Sequence, residues 1–203
     1  MKRLNKEFFK KSSMEVGREL LGKYLVHNTS RGKIIGKIVE LEVYGGIIDK
    51  AAHSYNGRRT NRTEVMYSEG GVCYVYLIYG MYNCLNFVCS EKDNPEAILI
   101  RAIEPIENME LMCENRYNKP LKECSKKQLI NLTNGPGKLC KALNIDRSLN
   151  GESLENDTIY VFEEKHESFE IVETTRIGIG YAEEAQDYLW RFYIKDNPYV
   201  SKK

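Results

Sequence analysis

Glu40-Leu41-Glu42-Val43-Tyr44 is the stretch whose residue types and spacing are best suited to chemistry. Successive side chains of an extended strand point to opposite faces, so Glu40, Glu42 and Tyr44 share one face while Val39, Leu41 and Val43 take the other. A carboxylate beside a phenol can act as a general base or oppose a positive charge. An edge strand showing its acids to water satisfies the same pattern. Arg101 stands in the apolar run Ile98-Leu99-Ile100-Arg101-Ala102-Ile103 and needs a partner if buried. A carboxylate on another strand, such as Glu42, is the expected one. His53, among Ala51, Ala52 and Ser54, fits either a hydrogen-bonded structural role or a role in a site.

A second constellation is the run from Tyr74 to Val88, in which four tyrosines crowd around Gly80. Two β-prone halves flank the glycine and predict a hairpin. Tyr79, Met81 and Tyr82 fall at its tip, where turns normally avoid bulky groups. Such a tip is suited to insertion into a partner; a core hairpin with a few exposed tyrosines is the alternative.

These residues need elements to hold them. Ser12-Ser13-Met14-Glu15 is a capping-box pattern that opens a helix, which Gly22 stops. Strands are predicted over 24–27 and 33–44, then a long polar and basic loop over 49–62, then the hairpin. A strand over 97–104 closes at Pro105. Helices are expected over 107–117, 125–130 and 136–143, and strands over 158–162, 170–174 and 190–194. Arg176-Ile177-Gly178-Ile179-Gly180-Tyr181 alternates bulky and glycine positions, which permits close approach of a backbone or ligand. Residues 196–203 are expected to fray.

At 203 residues the chain can bury one good core, and no linker-like run divides it, so a single domain is expected. The formal net charge is only +1 and names no partner. Its distribution says more. Lys50, Arg58, Arg59 and Arg62 cluster early, followed by Lys119, Lys122, Lys126, Lys127, Lys138 and Lys141. The acids gather later, at Glu152, Glu155, Asp157, Glu163, Glu164, Glu167, Glu170 and Glu173. On separate faces these would give a positive side able to meet a polyanion; a solvated mixed surface is the alternative. The six cysteines form no C-x-x-C pair and no histidine lies beside them at zinc-ligand spacing, so no metal site is expected; no G-x-G-x-x-G or Walker loop occurs, and no cofactor is expected. No apolar run approaches a membrane span. We expect free cysteines in a reducing cytosol, no membrane, no obligatory protein partner and a monomer.

Taken in order, these segments resemble the 3-methyladenine (alkyladenine) DNA glycosylases. The resemblance rests on Glu40 to Tyr44, on Ala51-Ala52-His53-Ser54 with Gly57-Arg58, Thr60 and Arg62, on Tyr74 to Asn86, and on Leu99 to Pro105. Asn134-Gly135-Pro136 with Lys138-Leu139-Cys140, and Arg176 to Tyr181 before Arg191-Phe192-Tyr193, extend it over nearly the whole chain. Asn61 and Thr63 depart from the proline and asparagine common in the family's basic loop.

The resemblance implies an α+β single domain on a curved, mainly antiparallel sheet with surrounding helices and a protruding hairpin. It implies an enzyme that releases alkylated or deaminated purines from double-stranded DNA, acting on the nucleoid or, in a eukaryote, in the nucleus. By residue, Glu42 matches the catalytic general base and Arg101 the arginine that helps hold the attacking water. Tyr44, His53 and Tyr76 match the pocket that sandwiches the flipped base, and Asn86 the group that crowds the exocyclic amine of guanine. Tyr79 matches the side chain that fills the gap in the duplex. Met81 and Tyr82 are expected to press on the groove, and Arg58, Thr60 and Arg62 to contact the DNA backbone. A noncatalytic nucleic-acid-binding module, and a small-molecule enzyme or formyltransferase-like RNA binder, are the competing classes.

Overall fold

The computed structural model describes residues 2–164 and 168–203, so Glu167, counted among the acids above, lies outside the described residues. Among the described residues a nine-stranded open sheet dominates. Its long path runs β1 (Lys2–Arg3), β7 (Ile159–Glu163), β2 (Tyr24–Thr29), β3 (Gly32–Tyr44), β6 (Glu96–Glu107), β5 (Tyr82–Cys89) and β4 (Cys73–Ile78). Two further strands, β8 (Ile171–Thr174) and β9 (Arg191–Ile194), pair with each other, and β9 joins β3 where β2 leaves off. All of these pairings are antiparallel.

The middle of the sheet decides where the polar residues go. On β3, Ile34 and Ile38 face the core, and so do Val39, Leu41 and Val43. The switch of parity is a bulge. Ile38 pairs with Ile103 and Glu40 with Ala102, which leaves Val39 as an extra residue. Without it the alternation begun at Ile34 would send Glu40 and Glu42 into the core face. A second bulge follows on the partner strand, since Leu41 pairs with Ile100 and leaves Arg101 extra. Thus β3 is flanked on both sides and is no edge strand; Glu40 and Glu42 are wholly buried rather than shown to water.

The core lies between the sheet and the helices α2 (Ser13–Leu20), α3 (Met109–Tyr117) and α5 (Pro136–Leu143). The Ser12–Glu15 capping box forms as the sequence predicts, and it orients α2 so that Val16 and Leu20 are fully buried. Each such side chain contributes roughly 1.5–3 kcal/mol. Gly17 lets α2 lie close to the sheet, for a Cβ there would sit 2.8 Å from Val43 Cγ2. Two short helices, α1 (Lys6–Phe9) and α4 (Lys126–Ile130), complete the set among the described residues.

Two expectations change. The strand β6 runs through Pro105 instead of stopping at it, because β5 pairs only with Glu96 to Leu99 and leaves that edge of β6 without a partner that needs the missing N–H. The tail does not hang free: Val200 is buried, and the Ser201 amide donates to Glu40 Oε2 at 2.6 Å. Among the described residues no helix is long and apolar enough to cross a membrane.

Candidate active site

On the sheet face opposite the main core lies a cavity of about 320 Å³. Alternation brings its lining together from four strands: Glu42 and Tyr44 from β3, Leu99 and Arg101 from β6, Cys84 and Asn86 from β5, Tyr74 and Tyr76 from β4. The loop carrying His53 and the strap from Ile177 to Tyr181 close its sides.

Glu42 is the floor. One carboxylate oxygen, Oε1, accepts the Ile177 amide at 2.7 Å and lies 3.2 Å from Arg101 Nη1. The other, Oε2, accepts the Tyr44 hydroxyl at 3.0 Å. Arg101 is itself only 7% exposed, and the bulge at its position aims it at the two carboxylates. Its Nε donates to Glu40 Oε1 at 3.0 Å. The expected pairing of Arg101 with Glu42 is therefore present, and Glu40 shares it. Burial, followed by the Glu42 charge, pushes the Tyr44 phenol well above its ordinary pKa, so it remains a hydrogen-bond donor.

Aromatic walls rise above that floor. The His53 ring meets Tyr76 edge to face at 4.6 Å, and its Nδ1 is 3.0 Å from the Tyr74 hydroxyl. Burial, then the charges of Arg62 and Arg58, depress His53 to a pKa of about 4, which keeps it neutral near pH 7. Asn86 is buried and donates Nδ2 to the Tyr74 carbonyl at 3.0 Å, so its amide is fixed at the pocket edge. Cys84, also in the lining, is pushed up by burial to about 11 and stays a thiol.

The hairpin tip stands at the mouth. Tyr79 and Gly80 both have positive φ, 53° and 70°, and the Met81 amide closes the turn on the Ile78 carbonyl at 3.2 Å. Tyr79 is 81% exposed and Met81 66%, with Tyr82 also exposed. Tyr79 lines the cavity entrance, whereas Met81 and Tyr82 do not touch it. Opposite, Tyr181 donates its hydroxyl to the Ala51 carbonyl at 3.3 Å.

The basic loop divides. Arg59 is neutralised by Glu64 and Asp93, and Lys50 by Glu183 and Glu184, so neither is the open cation the sequence suggests. Arg58 and Arg62 pair with no carboxylate among the described residues, and Arg62 lies over the Tyr76 ring at 5.1 Å. Thr60 is exposed but tied within the loop, its amide donating to Thr63 Oγ1 at 2.9 Å. Thr63, one of the two departures from the family pattern, is buried and also donates to the Arg58 carbonyl at 3.2 Å.

Sequence reasoning missed several supports. Arg176 pairs with Asp49, both fully buried, and also donates to the Val43 carbonyl at 2.9 Å, clamping the strap that presents the Ile177 amide. Its guanidinium sits 4.9 Å from the Tyr44 ring centre. Arg191 reaches Glu40 Oε1 at 2.9 Å. Both arginines have apolar neighbours in sequence, Ile177 for one and Trp190 and Phe192 for the other, which is the signal that singled out Arg101. Ser201 carried no such signal.

Known proteins resemble the chain over nearly its whole length. The family model for methylpurine-DNA glycosylase (MPG) matches residues 7–198. A Clostridium novyi protein named "Putative 3-methyladenine DNA glycosylase" is 61% identical over 203 residues, all of both chains. Proteins of the same name from Desulfitobacterium hafniense and Clostridium acetobutylicum are 56% identical over 100% of both chains and 55% identical over 98% of this chain and 97% of the other. The residues gathered around Glu42 thus stand in a chain that belongs to the methylpurine-DNA glycosylase family.

Proposed function

We propose that this glycosylase removes alkylated or deaminated purines, among them 3-methyladenine, 7-methylguanine, hypoxanthine and etheno adducts, after flipping them out of duplex DNA. Extrusion costs a few kcal/mol and is cheapest at damaged or mispaired sites. Tyr79 replaces part of the lost stacking from the hairpin tip, while Met81 and Tyr82 press on the groove. Once extruded, the base stacks among Tyr44, His53 and Tyr76, each contact contributing roughly 1–3 kcal/mol. Cationic alkylpurines gain further from the electron-rich rings. Asn86 excludes guanine because its amide, held by the Tyr74 carbonyl, clashes with a 2-amino group.

Bond cleavage leaves positive charge on the sugar. Glu42 faces that charge, and Arg101 helps hold the attacking water whose proton Glu42 accepts as the new C–O bond forms. The purine leaves with the bonding electrons. No lysine lines the cavity among the described residues, which supports simple hydrolysis to an abasic site with an intact strand over Schiff-base chemistry.

One observation carries this reading: a wholly buried carboxylate, held by Arg101, the Ile177 amide and Tyr44, at the floor of an aromatic cavity beside an exposed tyrosine. The test is base release from duplexes containing each lesion, with Glu42→Gln as control. We expect release by the native chain and a loss of about 100-fold or more in the variant, with DNA binding retained. Release undiminished in Glu42→Gln overturns the role of Glu42. Binding without release by the native chain would instead favour a noncatalytic module.

A further inference from the structure

Behind Glu42 lies a second carboxylate that the proposed chemistry does not use. Glu40 is wholly buried, and four hydrogen bonds converge on it. Oε1 accepts Arg101 Nε at 3.0 Å, Arg191 Nη1 at 2.9 Å and Ser201 Oγ at 2.9 Å; Oε2 accepts the Ser201 amide at 2.6 Å. A carboxylate so satisfied has nothing left to offer a substrate. Its role must be exerted through its partners.

Those partners form a closed ring. Arg101 uses Nε on Glu40 and brings Nη1 to 3.2 Å from Glu42, while Nη2 donates to Ser201 Oγ at 3.3 Å. Glu42 accepts the Ile177 amide, and two residues earlier the Thr175 carbonyl accepts Arg191 Nε at 2.9 Å. Arg191 returns to Glu40, and it also donates to the Lys202 carbonyl at 2.8 Å. The ring therefore ties together β3, β6, β9, the Thr175–Ile177 strap and the chain's last residues.

Charge explains why the ring needs Glu40. Two carboxylates and two guanidinium groups, all nearly or wholly buried, balance to zero. Remove the Glu40 charge and Glu42 alone is left to balance two arginines, of which only Arg101 touches it. The surplus positive charge opposes the charge that develops on the sugar, and Arg101 loses the contact that fixes its fork.

We propose that Glu40 is a positioning residue for base excision, holding Arg101 and the Ile177 strap in register with Glu42, and that Ser201 locks it there. This rests on the glycosylase reading above and deepens it.

The test compares the single-turnover rate of base release with affinity for a duplex containing an abasic-site analogue. In Glu40→Gln, nearly isosteric, the rate should fall by about 10- to 100-fold while affinity stays within about 3-fold, and Glu40→Asp should recover part of the rate. Ser201→Pro, which removes both the amide hydrogen and the hydroxyl that meet Glu40, should lower the rate in the same selective way. A folded Glu40→Gln with native rate overturns the proposal, as does one whose rate and affinity fall together. If that variant does not fold, a native rate in Ser201→Pro overturns it alone. A native chain that releases no base refutes the glycosylase reading instead, so the two failures are distinguishable.

Discussion

His53 shows how a single side chain couples the pocket to solution conditions. Burial, and then the charges of Arg62 and Arg58 from the basic loop, make its protonation costly, while the Tyr74 hydroxyl meets Nδ1 from the sheet. Its pKa in the folded protein, about 4, lies below the value of about 6.5 expected in the unfolded chain. The unfolded state therefore binds the extra proton first, and the stability contributed by neutral His53 is full above pH 6.5 and fades between about 6.5 and 4. Denaturant titrations across that range should show stability falling with pH, and His53→Asn should flatten the slope. Some slope should remain, because burial also lowers the pKa of His27, whose Nδ1 sits 2.7 Å from the Leu143 carbonyl. At this scale much of the site was legible. Glu42, Tyr44 and Arg101 could be paired from alternation and from the cost of an unpaired charge, whereas Asp49, Arg176 and Ser201 could not, since nothing local marks a partner more than a hundred residues away.

Among the elements, the hairpin carries a conflict between folding and use. Tyr79 occupies the left-handed region, φ 53°, which costs a non-glycine residue roughly 1–2 kcal/mol. It is 81% exposed, so no packing in the free protein repays that cost. Tyr79→Gly should therefore leave thermal stability equal or raise it by up to about 1 kcal/mol, while weakening affinity for a lesion duplex. Lower stability with unchanged affinity would mean that the tyrosine serves the fold. The hairpin itself, the capping box of α2 and the start of α5 at Pro136 were readable because each has a local cause in turn or cap chemistry. The bulges at Val39 and Arg101 were not. They depend on how two distant strands register, and they decide which face receives the carboxylates.

For the whole molecule, net charge is uninformative because cations that look alike in sequence differ in whether a carboxylate answers them. Lys50 and Arg59 each meet two carboxylates, while Arg58 and Arg62 meet none among the described residues. If these two neutralise phosphates, each replacement by alanine should reduce the slope of log affinity against log salt by about 1. Arg62→Ala should also disturb the pocket, because that guanidinium covers Tyr76. Binding isotherms over a range of salt concentrations would show both effects, and an unchanged slope would remove these arginines from the phosphate contacts. The hold of Ser201 on Glu40 adds a dimension of time. The two are 161 residues apart in the chain. At ribosomal speeds of about 5–20 residues per second, Glu40 is made roughly 10–30 s before the residue that locks it. A nascent chain thus holds Glu40, Arg101 and Arg191 before it holds the residue that completes their hydrogen bonds, so the last contact of the ring is also the last to be synthesised.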